Sequence, residues 1–133
     1  ATAAYLKFYQ LQQADVDTKI RGLHLRTRQA IASLSPNLAR ICAIDAALND
    51  ALATHARRYL SAVPNLLMRR LEHLYTEFEE TVQSGAEREE SWIETRERYR
   101  RESQGLLLAE IEARLLPSLG LIEALNEEIK DED

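Results

Sequence analysis

The chain has 133 residues, 45% of them apolar and 29% charged, with a formal net charge of −5, the composition of one folded, water-soluble domain rather than a disordered segment. Four glycines and three prolines are too few turn residues for a sheet protein of this size, so few and long elements are expected. The single cysteine excludes an internal disulfide and a multi-cysteine zinc site, and no apolar run approaches the roughly 20 residues that cross a bilayer.

Five helical segments are predicted in chain order. The first spans about 3–34. Stepping back from Leu34 by fours and threes gives Ala30, Thr27, Leu23, Ile20 and Val16, with Tyr9 and Leu6 beyond Gln13, a heptad-like seam. Gly22 interrupts it at a cost of roughly 1 kcal/mol relative to Ala. Ser35-Pro36 opens the second segment, 36–62, because the Ser hydroxyl can accept a first-turn amide and Pro tolerates the first helical position. Its predicted inner face is Leu38, Ile41, Ile44, Leu48, Leu52, His55 and Tyr59. Pro64 disfavours helix at the residue before it, so the chain is expected to break or kink there, with a third segment, 64–84, carrying Leu67, Leu71, Leu74 and Phe78 inward. Pro64 and Pro117 either kink continuous helices or separate them. Gly85 reads as its C-cap.

The fourth segment, 86–116, begins as a charged arm, Glu87 to Glu102, whose large apolar groups are Trp92, Ile93 and Tyr99. Such a stretch reads as a solvated helix projecting past the core, and those three residues as a grip for a partner. The competing reading packs Trp92 and Tyr99 on the first helix. A denser stripe, Leu107, Ile111 and Leu115, follows before Pro117 and Gly120 end the helix. The last segment, 121–129, is short and leads into an acidic tail. Residues 1–75 carry 10 Lys+Arg against 5 Asp+Glu, and residues 76–133 carry 7 against 17. A basic half followed by an acidic half suits halves that fold together or subunits that pair head to tail.

Little points to chemistry. His24, His55 and His73 lie on three different segments with no metal-binding spacing, so no metal and no cofactor is expected. Cys42 sits beside Ile41 and Ile44 and reads as a small buried hydrophobe. Asp45 is the sharpest oddity, a carboxylate in the apolar stripe of the second segment, where it needs a partner. An arginine of the first or third segment is expected, with Arg69 and Arg70 the candidates for a structural ion pair. No nucleophile elbow or phosphate-binding glycine loop is present.

The run Leu34-Ser35-Pro36-Asn37-Leu38-Ala39-Arg40, with Ile44-Asp45-Ala46-Ala47-Leu48, Val63-Pro64-Asn65-Leu66-Leu67 and Leu108–Pro117 leading into Gly120–Leu125, resembles a family of uncharacterised proteobacterial proteins known as a domain of unknown function. The resemblance covers most of Leu34 to Leu125 apart from the charged arm. It implies an additional N-terminal segment, consistent with a chain that does not open on Met, so residues 1–133 are expected to be the C-terminal part of a longer protein. It also implies genes near OmpA-like and coiled-coil envelope proteins, hence an accessory or assembly factor of an envelope complex. Asp45, Pro64, Arg114, Pro117 and Gly120 would be its signature positions.

Together these readings predict an all-α fold, an antiparallel bundle of long helices with coiled-coil-like seams and a short C-terminal helix. The expected function is a non-catalytic protein–protein interaction or scaffold module, dimeric and cytoplasmic, with no small-molecule substrate. Two alternatives stand beside it: a nucleic-acid-associated protein using the basic first half, and an enzyme with a site around Asp45 and His55.

Overall fold

The computed structural model describes residues 2–81 and 85–132. They form three helices, α1 Thr2–Ala32, α2 Pro36–Thr81 and α3 Gly85–Glu132, with no strand among the described residues. The all-α bundle expected from composition is therefore what forms, with fewer and longer helices. Pro64 lies inside α2 and Pro117 inside α3, so the expected breaks at 62–64 and 116–121 are corrected, and the short helix 121–129 is the last stretch of α3. The end expected at Ser84 falls outside the described residues. Gly85 is the first residue of α3, and no described glycine adopts the positive φ of a left-handed C-cap. A methyl group at Gly22 would meet only the tip of the Arg26 side chain, at 3.2 Å, so that glycine admits no neighbouring backbone.

The turn between α1 and α2 forms as its residues dictate. The Leu34 amide donates to the Ile31 carbonyl at 3.1 Å. The Ser35 hydroxyl accepts the Leu38 amide at 3.1 Å, and Pro36 takes the first helical position, where no amide is missed. The same hydroxyl donates to the Glu128 carboxylate, 2.9 Å from each oxygen.

The described residues group into two compact units. Unit 1 comprises Ala1–Gln13 and Tyr59–Glu110, unit 2 Ala14–Arg58 and Ile111–Asp133. In unit 1, Tyr9, Leu67, Leu71, Leu74 and Tyr99 are buried together, with Tyr5, Val63 and Leu107 packed on them. The Tyr5 and Tyr99 rings meet edge to face at 5.5 Å. Arg70 clamps Glu102 across α2 and α3 with two hydrogen bonds of 2.8 and 2.9 Å. In unit 2, Ile31, Leu38, Cys42 and Leu121 are buried together, with Ile41, Ala124 and Leu125 against them. Burial pushes the Cys42 thiol above its ordinary pKa, and the Asp45 charge adds to this, so Cys42 is the small core hydrophobe its neighbours predict.

Buried positions recur at eleven rather than seven residues: Tyr9, Ile20 and Ile31 on α1, and Tyr99, Glu110 and Leu121 on α3. Eleven residues in three turns, 3.67 per turn, stays close to the natural α-helical repeat, whereas a heptad step drifts by about 20° per repeat. The drift explains the α1 seam. Tyr9, Gln13, Val16, Ile20 and Thr27 face inward as predicted, but Leu23, Ala30 and Leu34 are exposed, and His24 and Ile31 take the inward places.

Candidate interaction surfaces

α2 and α3 stay continuous through their prolines, and α1 sets a polar group beside each. Pro64 has no amide to give the carbonyl four residues back, that of Leu60. In unit 1 the Gln13 Nε2 donates to that carbonyl at 3.0 Å and to Glu110 Oε1 at 2.7 Å. Glu110 is 5% exposed. Burial, with the nearby Glu110 charge, pushes the Tyr9 hydroxyl up to about 12. In unit 2, Pro117 leaves the Ala113 carbonyl without its amide, and the polar contact from α1 falls one residue further on. His24 Nε2 donates to the adjacent Arg114 carbonyl at 2.8 Å, and the Ser118 hydroxyl meets His24 Nδ1; a carbonyl only accepts, so Nε2 carries a proton. The Arg114 guanidinium also reaches Asp17 at 2.6 Å. Both histidine contacts lay beyond sequence reasoning, because they join α1 to α3 across some ninety positions of the chain.

Asp45 is half-buried, as its place in the stripe implied, and its arginine comes from the first helix, one of the two expected sources, in place of the named candidates Arg69 and Arg70. Arg28 of α1 lies 3.8 Å away, a Coulombic contact longer than a hydrogen bond, and Asn49 Nδ2 donates to the carboxylate at 3.2 Å. Arg70 pairs with Glu102, and Arg69 is exposed. The correction follows from helix continuity. Asp45, Arg69 and Arg70 share one helix, so no turn folds the two arginines back onto the aspartate. His55 is exposed on the outer side of α2, and the two members of the conjectured enzyme site do not converge.

The charged arm is corrected as well. Tyr99 is 6% exposed and belongs to the core of unit 1, packed on α1 as the competing reading has it. Trp92 is half-buried between Tyr75 and Phe78 of α2, at ring distances of 5.5 and 5.2 Å. Arg88 lies 5.1 Å over the Phe78 ring and 2.6 Å from Glu79. Of the three residues predicted to grip a partner, Ile93 is the exposed one. It lines a groove of about 360 Å³ between α1 and α3 of unit 1, with Tyr5, Phe8, Arg96 and Leu107.

Unit 2 turns apolar faces outward. The predicted inner face of α2 divides: Leu38 and Ile41 point to the core, whereas Ile44 is 62% exposed and Leu48 and Leu52 each 57%. Ala43, Ala47 and Ala51 beside them are exposed too, and the one exposed charge from Ala43 to Ala56 is Asp50. On α3, Leu119, Ile122 and Ile129 are exposed while Leu121 is buried on the opposite side. Isolated exposed leucines are ordinary, but apolar residues in helical register on one face mark an interaction surface.

The sequence of the chain matches, over residues 2–127, the family described as protein of unknown function (DUF3348). The chain belongs to that family. The DUF3348 match extends past Leu34–Leu125 at both ends and takes in both helix-internal prolines, most of each unit and the outward faces apart from Ile129. No curated protein and no solved structure matches the chain. No described helix is long and apolar enough to cross a membrane.

Proposed function

We propose that this chain is a non-catalytic protein–protein interaction module whose first partner is another copy of itself. The observation that carries this reading is the outer face of α2, where Ile44, Leu48 and Leu52 stand exposed in register on a helix that already fills a core with Leu38 and Cys42. Burying that face removes apolar surface from water at about 25 cal/mol per Å², and the flanking alanines let a second helix approach closely. The family resemblance supplies the setting, an accessory or assembly factor of an envelope complex acting from the cytoplasmic side. The acidic exposed surface of α3 disfavours nucleic acid, since phosphates would be repelled within the screening distance.

Size-exclusion chromatography with light scattering tests the reading. The chain is expected to run as a dimer at micromolar concentration. Leu48→Gln with Leu52→Gln should shift it toward monomer while the helical circular dichroism stays unchanged. A native chain that is monomeric throughout that range overturns the proposal.

A further inference from the structure

We infer that the outer face of α2 in unit 2 docks on the outer face of α3 in unit 2 of a second copy. This rests on the self-association proposed above and names the two surfaces that meet. At 100° per residue, Ile44, Leu48 and Leu52 form one stripe, and Arg40 and Arg58 lie along its edge. Asp45 is turned toward Arg28, and Asp50 lies on the far flank. The α3 stripe steps by threes and fours, with Leu119, Ile122 and Ile129 exposed and Asn126 between the two isoleucines. Its edge carries Glu123 and Glu127, both exposed.

The exposed charges of each helix within the unit are opposite in balance. From Pro36 to Arg58, α2 exposes Arg40, Arg57 and Arg58 against Asp50. From Ile111 onward, α3 exposes Glu112, Glu123, Glu127, Asp131 and Glu132 against Lys130. A basic-edged apolar stripe therefore meets an acidic-edged one, which fixes partner and register more than two neutral stripes would. The two surfaces differ, so a closed two-fold dimer makes the contact twice, each copy offering one face and receiving the other. The basic-to-acidic run of the sequence thus acquires a physical role as complementarity between the α2 face of one copy and the α3 face of the other.

Charge reversal reads this contact directly. Arg40→Glu with Arg58→Glu makes both faces acidic, and Glu123→Lys with Glu127→Lys makes both basic. Each reversed chain alone should associate at least about tenfold more weakly than the native chain, because like charges then face each other. An equimolar mixture should recover association, since every contact between the two variants is again basic on acidic. Substituted residues are exposed, and circular dichroism checks that each variant folds. Independently, chains carrying Leu48→Cys mixed with chains carrying Ile122→Cys should form a mixed disulfide, with buried Cys42 as the unreactive background. Reversed chains that associate like the native one, or a mixture that stays dissociated, would overturn this contact while leaving self-association standing. A monomeric native chain would remove both.

Discussion

Pro64 and Gln13 act as a pair. The proline is fully buried and withholds an amide from Leu60, and the Gln13 side chain replaces it while also donating to Glu110. Replacing Gln13 with Leu removes both donors from buried acceptors, a loss of about 1–3 kcal/mol. In a Pro64→Ala background the Leu60 carbonyl regains its own amide, so the same Gln13→Leu change should cost about 1 kcal/mol less. Urea unfolding of the four proteins in the cycle measures the coupling, and equal costs in both backgrounds would refute the pairing. The residue types were visible in the sequence, but their partnership was not. A glutamine interrupting an apolar seam looks like a flaw until the carbonyl it serves, forty-seven positions away, is known to lack a donor.

At the scale of the helix, legibility was uneven for a related reason. The run Leu67, Leu71, Leu74 and Phe78 is buried throughout as its spacing predicts, because that stretch has one apolar stripe and one core to face. Around Leu48 the same helix carries two inward options, a small and polar one through Ala46, Asn49 and Ala53 and a larger one through Ile44, Leu48 and Leu52. Local pattern favoured the larger stripe, yet the smaller one is turned inward. That smaller stripe brings Asp45 to within 3.8 Å of Arg28 on α1, and no local rule contains the position of that neighbour. Gly120 offers a test of helix continuity. It lies inside α3 without a positive φ, and a methyl group added there meets nothing within 4 Å. Gly120→Ala should therefore stabilise the protein by about 0.5–1 kcal/mol by restricting the unfolded chain. A terminating glycine in the left-handed conformation would give the opposite sign, so a lower melting temperature would contradict the unbroken helix.

Across the molecule, two cores are strung on the same three helices. Loss of one core frays the helices that the other depends on, so unfolding is expected to be cooperative, and a weakness placed in unit 1 should appear in the global stability. Acid supplies such a weakness at Glu102. Its hydrogen bonds from Arg70 hold its carboxyl below the ordinary value of 4.5 against the opposing effect of burial. A carboxyl depressed in the folded state stabilises the fold above its unfolded value, and that contribution is lost as pH falls from about 4.5 through the folded value. The pair is about one-third exposed on each side, so solvent limits it to no more than about 1 kcal/mol. Trp92, the sole tryptophan, packs in the same unit on Tyr75 and Phe78 and reports that core by fluorescence, while far-ultraviolet circular dichroism reports all three helices. Both signals should give one denaturant midpoint, and that midpoint should fall below pH 4.5. In Arg70→Gln it should start lower at neutral pH and fall less steeply through the acid range, because the largest influence holding the Glu102 carboxyl down is then gone and only the smaller one of Arg98 remains. A midpoint whose acid slope is the same with and without Arg70 would show that the clamp does not govern acid stability. A tryptophan transition that precedes the helical one would show instead that the two cores unfold apart.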